Sequence, residues 1–181
     1  MNLSPLEIEA LRSVAARLGV PPDWLAAVIN FETAGTWNPS IKNPNSSARG
    51  LIQFLDATAK DLGYASALDL VQKHPTIESQ LKGPVLKYFL RQGGKFATKQ
   101  ELWFAVFLPK YKKAPLHTVI FAEDLAKQAA FRRANPGIKT VGDYYHKLEK
   151  MFAKFDKAKL GLGPALVTLA VGVFVFRFFF R

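Results

Sequence analysis

The chain has 181 residues, enough for one globular domain with a sizeable core, and a formal net charge of +11. That charge predicts attraction to polyanions, and composition alone does not choose among cell-wall polymer, anionic lipid and nucleic acid. The absence of cysteine excludes disulfide staples, thiol nucleophiles and cysteine-based metal sites.

The N-terminus is amphipathic rather than a basic segment followed by an apolar run, so no secretory signal peptide is expected. From there to about residue 145 the apolar residues recur at helical spacing, and strand-type alternation is nearly absent. Ser4-Pro5-Leu6-Glu7 is a capping box with proline at the first helical position. Ser66-Ala67-Leu68-Asp69, Thr98-Lys99-Gln100-Glu101 and Thr140-Val141-Gly142-Asp143 have the same form. The pattern predicts helices over 5–18, 22–32, 56–62, 67–73, 77–91, 99–107 and 140–158. Gly83-Pro84 should kink or split the fifth. Residues 33–50 are turn-rich and read as an active loop. Residues 108–139 carry Pro109, Pro115 and Asn135-Pro136-Gly137, which predicts irregular structure with one short helix near 122–131.

The composition changes at the end. Lys147, Lys150, Lys154, Lys157 and Lys159 form a basic stretch, and Leu160 to Phe176 is seventeen residues without a charge. At a helical rise of about 1.5 Å per residue, such a run reaches roughly across a bilayer core. Nearly every position is apolar, so no face is left for water, and Arg177 can reach towards head groups. The expected organisation is a helical domain over 1–145, a basic helical linker over 146–160 and a transmembrane anchor over 161–181.

Glu32 is the candidate for acid chemistry. It ends the apolar run Trp24-Leu25-Ala26-Ala27-Val28-Ile29-Asn30-Phe31, just before a Thr-Ala-Gly turn. A helix end packed in a core holds a side chain rigidly at a cleft edge, and apolar surroundings keep a carboxylic acid protonated near neutral pH. Spacing alone also allows a solvated surface glutamate.

Two runs carry a resemblance. Phe31-Glu32-Thr33-Ala34-Gly35-Thr36-Trp37-Asn38-Pro39 is followed by Ser47-Ala48-Arg49-Gly50-Leu51-Ile52-Gln53-Phe54. This resembles the paired motifs of the lytic transglycosylase and goose-type lysozyme family, with Gly-Leu-Ile-Gln where the family has Gly-Leu-Met-Gln. The match covers roughly residues 22–64. It implies a mainly α, lysozyme-like fold, with Glu32 as the catalytic glutamate, first acid and then base. It also implies that Ser47 and Gln53 line a sugar cleft, and that Gly50 lets backbone approach the substrate. The family's later Ala-Tyr-Asn motif has Ala105-Val106-Phe107 as its best counterpart, so Phe107 stands where a tyrosine hydroxyl would be. Tyr111 and Tyr88 are candidates to supply that hydroxyl, and Phe107 and Tyr111 are counted with the substrate-binding residues; simple core packing is the other reading of this stretch. The Phe-x-Pro variant, with Asn135-Pro136-Gly137 and Val141-Gly142-Asp143-Tyr144, is similar to bacteriophage-encoded members.

The resemblance implies cleavage of the MurNAc–GlcNAc bond of peptidoglycan. Ordinary glycosidases use two carboxylates. The candidate second acids are Asp56, where a helix N-cap is expected, and Asp61, on a solvated helix face. Neither is compelling, which favours the single-acid route to a 1,6-anhydro sugar over hydrolysis. No cofactor or metal is expected, because His74, His117 and His146 show no ligand spacing. The lysine runs lack interleaved aromatics, so the expected partners are peptidoglycan strands and a lipid membrane through residues 161–181, not specific nucleic acid. Lysines before the span would leave the domain on the cytoplasmic side of the producing cell. This suggests the virion membrane of a phage, with the bacterial inner membrane as the alternative. A non-catalytic virion protein that retains the fold is the rival from another class.

Overall fold

The computed structural model describes residues 3–158 of the chain, and its regular structure is mainly helical. The anchor expected over 161–181, and the last two residues of the expected linker, lie outside the described residues. Among the described residues no helix is long and apolar enough to cross a membrane.

Helix α1 (Pro5–Leu18) begins at the capping box. Ser4 Oγ accepts from Glu7 N–H at 3.3 Å, and Ser4 N–H donates to Glu7 Oε2 at 2.7 Å. Its stripe Ala10, Leu11, Val14, Ala15 and Leu18 is buried against α2 (Pro22–Glu32). Helix α2 is buried on more than one face: Leu25, Ala26, Ala27, Val28 and Ile29 are all inaccessible. Five consecutive buried residues exceed the width of an amphipathic stripe, so α2 is the central helix. It packs on α1, on α7 (Lys99–Phe107) and on α9 (Val141–Ala158). Trp103 Nε1 donates to Trp24 O at 3.2 Å, bolting α7 to the start of α2.

Helix α3 (Asp56–Asp61) packs on α4 (Ala67–Lys73). Asp56 was expected to cap α3. The extended Leu55 takes that position instead, and Asp56 is the first helical residue. The Ser47 hydroxyl accepts the Asp56 N–H at 3.1 Å, which frees the Asp56 carboxylate to accept Ala67 N–H at 2.8 Å at the start of α4. Asp56 therefore ties two helices together rather than starting one.

The segment from residue 77 is split as the Gly83-Pro84 pair predicts. It runs as α5 (Ile77–Gln80), a π-helical turn (Leu81–Val85) and α6 (Leu86–Arg91). The His74 ring fills the space a Cβ at Gly83 would need, with Cε1 only 2.7 Å from that position. A short 3-10 turn (Pro109–Tyr111) follows α7. Helix α8 (Leu125–Ala134) starts three residues later than expected, because Asp124 caps it, accepting Lys127 N–H at 2.9 Å. Residues 116–120 lie antiparallel to 139–142, with Ile120 N–H donating to Lys139 O and Gly142 N–H to Leu116 O.

Helix α9 runs through the expected boundary at 145/146. Val141, Tyr144, Leu148 and Phe152 form one buried stripe at helical spacing. Leu148 and Phe152, assigned from sequence to a linker, are core residues. Lys147 is drawn inwards too: its Nζ donates to the buried Asn135 Oδ1 at 3.1 Å, and burial lowers its pKa.

Two predictions follow from these elements. Asp69, Asp124 and Asp143 are held below the usual carboxylate range, each first by a backbone N–H, those of Ala65, Lys127 and Thr140 respectively. Their stabilisation is complete above the unfolded-state range and is lost as pH falls through the depressed folded values. Thermal melts should therefore drop steeply below about pH 4, and Asp143→Asn should flatten that drop. Separately, a chain ending at residue 145 loses two core side chains worth about 2–5 kcal/mol each, comparable to a whole domain's stability. Circular dichroism should show no cooperative melt for it, whereas a chain ending at 158 melts cooperatively.

Candidate active site

Glu32 is the last residue of α2 and only 5% exposed. A buried helix end must find partners for its last carbonyls. The following turn supplies them. Thr33 donates to Ile29 O through both its N–H (2.9 Å) and its Oγ1 (2.8 Å), and Gly35 N–H donates to Asn30 O at 2.7 Å. Ala34, Gly35 and Trp37 take left-handed backbone angles that fold the chain back on the helix. Trp37 N–H then donates to Thr33 Oγ1, and its Nε1 to Asn30 Oδ1, both at 3.1 Å. This clasp fixes the backbone that carries Glu32.

The second motif forms a tight antiparallel hairpin. Arg49 and Phe54 exchange both backbone hydrogen bonds, at 3.0 and 2.7 Å, and Gln53 N–H donates to Gly50 O at 3.1 Å across the loop. Gln53 is 3% exposed and holds φ +52°, a left-handed conformation uncommon outside glycine. Its Nε2 donates to Gly50 O at 3.2 Å. Among the described residues its buried Oε1 has no hydrogen-bond partner. Backbone strain and an orphan acceptor each cost about 1–3 kcal/mol, and such costs gather at ligand sites.

One residue missed in the sequence organises this loop. Gln80, at the end of α5, is fully buried. Its Nε2 donates to Pro39 O (2.6 Å) and His74 O (3.0 Å), while its Oε1 accepts Leu51 N–H (3.0 Å). A Cβ on Gly50 would lie 2.7 Å from that Oε1, and Gly50 itself has φ +77°. The positive φ and the Gln80 contact each call for glycine at position 50. The signal in the sequence was a lone glutamine among the core-spaced Ile77, Leu81 and Val85.

The other expected site residues are placed as follows. The Ser47 hydroxyl is engaged by Asp56 N–H. Phe107 is 7% exposed, with its ring 5.1 Å from Phe31 and 6.2 Å from Phe152. Tyr111 is 4% exposed, and its Oη accepts Phe121 N–H at 2.6 Å. Phe107 and Tyr111, expected at the substrate, are both buried, and both rings make core contacts. The Tyr88 hydroxyl donates to Ala105 O at 2.6 Å. Of the second acids, Asp56 serves Ala67 and Asp61 is exposed. A cleft of about 280 Å³ between α3 and α6 is lined by Leu55, Thr58, Leu62, Tyr88 and Arg91 among others, and Glu32 is not in its wall. Among the described residues no group of three or more His, Asp or Glu side chains could hold a metal ion. His74 Nε2 lies 2.8 Å from Tyr64 Oη, and His146 pairs with Glu149. No protein-family model matches the chain, and no curated protein matches it.

The contact between positions 50 and 80 is open to test. Gly50→Ala should destabilise by about 1–3 kcal/mol, from strain at positive φ and the clash with Gln80. In Gln80→Ala only the strain remains, so the double-mutant cycle should show coupling of at least about 0.5 kcal/mol by urea unfolding. Additive effects would mean that Gln80 does not dictate the glycine.

Proposed function

We propose that the chain cleaves the MurNAc–GlcNAc bond of peptidoglycan by a lytic transglycosylase reaction, in a lysozyme-like helical domain with Glu32 as acid and then base. The observation that carries this reading is a glutamate buried at the C-terminal end of the central helix. Burial disfavours the carboxylate, and so does the negative end of a helix dipole. Both favour the acid form of such a group, which is what departure of a glycosidic oxygen needs. The paired motifs around Glu32 and Gln53 support the same reading. So does Gln53 Oε1, a buried acceptor suited to a hydroxyl or amide N–H of a sugar.

In this mechanism Glu32 gives its proton to the glycosidic oxygen as the C1–O bond breaks. The resulting carboxylate then takes the proton of the sugar's own 6-hydroxyl as that oxygen bonds C1, which returns Glu32 to its acid form. The product is a 1,6-anhydro end. With Asp56 occupied and Asp61 exposed, neither candidate is an obvious second carboxylate to activate water, which favours this route over goose-type hydrolysis. We place the enzyme in a phage virion, anchored in a membrane by residues 161–181 and acting in wall penetration. The bacterial inner membrane is the alternative location. One observation favours the rival reading, a non-catalytic virion protein that retains the fold: Phe107 has no hydroxyl to orient the acid.

Zymography on purified peptidoglycan tests the assignment. Wild type should clear, and Glu32→Gln should lose at least about 100-fold, the usual contribution of a general acid. Equal clearing by both would remove Glu32 from the mechanism, and no clearing by either favours the structural rival. Mass spectrometry of the fragments should find anhydro ends; reducing ends would make the enzyme a hydrolase.

A further inference from the structure

We infer that α8 is a membrane-contact helix, whose outward face of Leu125, Ala129, Arg132 and Arg133 docks on an anionic lipid surface. The inference rests neither on the role of Glu32 nor on the anchor expected over 161–181. Positions i, i+4, i+7 and i+8 share one side of a helix, and all four of these residues are exposed. Leu125 is 76% exposed, the barest large apolar side chain among the described residues. The helix is held to the domain from its other side. Phe131 is buried there, with its ring 5.8 Å from both Phe121 and Tyr144. Gln128 Nε2 donates to Ile120 O and Phe121 O, each at 3.4 Å.

The charge around α8 is mostly of one sign. Residues 108–140 carry seven lysines and arginines against two acids. Both acids are engaged. Glu123 pairs with Lys110, and Asp124 caps α8 through one oxygen while the other pairs with Lys127 Nζ at 3.2 Å. No acid stands on the outward face, whose charges are those of Arg132 and Arg133. Leu116 and Val119 are also exposed, on the segment that Gln128 ties to α8. Three of the six large apolar side chains exposed among the described residues therefore lie in this one basic segment.

Cations alone would suit any polyanion, and the leucine standing in water beside them narrows the choice. A glycan or phosphate polymer would engage the guanidiniums and leave Leu125 wet. A nucleic-acid strand calls for stacking rings, which this face lacks. The interface of an anionic bilayer takes both kinds of group. Leucine sinks to the acyl boundary, while the arginines stay level with the phosphates and lay their apolar stems along the surface. In that pose α8 lies in the plane of the interface and does not cross it.

The chain has no cysteine, so Leu125→Cys places an environment-sensitive fluorophore at a single position of the full-length protein. The labelled protein is reconstituted with vesicles of phosphatidylcholine, alone or mixed with phosphatidylglycerol. On the mixed vesicles the label should shift to the blue and resist quenching by acrylamide; on phosphatidylcholine alone it should stay aqueous. A label at Leu6→Cys, another bare leucine but one beside Glu7 and Glu9, should stay aqueous on both. Adding Arg132→Gln and Arg133→Gln to Leu125→Cys should weaken docking about tenfold or more. High salt should weaken it with both arginines in place, which tests the same charges should the substituted chain melt early. Equal shifts on the two kinds of vesicle, or a shift at position 6 as large as at 125, would overturn the inference. So would a label at 125 that stays aqueous on the mixed vesicles; its shielding by wall fragments or by an oligonucleotide would then give α8 a polymer partner instead.

Discussion

Helix α2 cannot be wetted along its middle, and much of the molecule is arranged around that constraint. Its five consecutive buried residues require neighbours on several sides, and α1, α7 and α9 provide them. Each fully buried aliphatic side chain contributes about 1.5–3 kcal/mol, so any neighbour that left would expose several such groups at once. The helix is held at both ends. Trp103 bonds the Trp24 carbonyl at the start, and the triangle of Phe31, Phe107 and Phe152 closes the finish. A carboxyl group at the end of such a helix is drawn into an apolar setting. The turn that follows, through Thr33 and Gly35, satisfies the carbonyls which that burial would otherwise orphan.

The loop between α2 and α3 is held by a different kind of force. It has little regular structure, only isolated bridges at Lys42, Arg49 and Phe54. Its position depends on one buried amide, Gln80, which satisfies a carbonyl at Pro39 and an amide at Leu51, twelve residues apart on the loop. A buried amide with its partners in place specifies a geometry, because each lost bond would leave an unpaired group in a low-dielectric interior. Gly50 is required by the same contact, and Gln53 is carried into a left-handed conformation two residues beyond Leu51. Strain at Gln53 is thus local, while the structure that sustains it reaches across to α5.

Helix α9 changes the meaning of the C-terminal third. A basic stretch preceding an apolar run reads as a tether, yet Leu148 and Phe152 belong to the core and Lys147 is turned towards Asn135. The helix has two faces. One packs on α2 and the other carries exposed polar side chains such as His146 and Lys150. Because α9 runs directly towards the apolar C-terminal segment, the element next to the expected anchor is also the element that covers the end of α2.

Helix positions were legible in the sequence because their signals are local. A serine or threonine three residues before an acid satisfies the first amides of a helix wherever the rest of the chain goes, and the boxes at Ser4, Ser66, Thr98 and Thr140 all use the hydroxyl that way. Gly83-Pro84 broke its helix for an equally local reason, a missing N–H and a ring clash. The apolar run before Glu32 was visible too, and a helix apolar on all sides must end in a core. What the sequence could not decide were the partners of side chains from distant segments. Asp56 left its expected cap because Ser47, nine residues earlier, took its amide. Gly50 answers to Gln80, thirty residues on, and the Tyr111 hydroxyl accepts from Phe121. The extent of the domain was of the same kind. The stripe Tyr144, Leu148, Phe152 was there to be read, but the lysines between its members read as solvated linker. Only packing against α2 distinguishes a helix that leaves the core from one that completes it, because burial belongs to the neighbours and not to the segment.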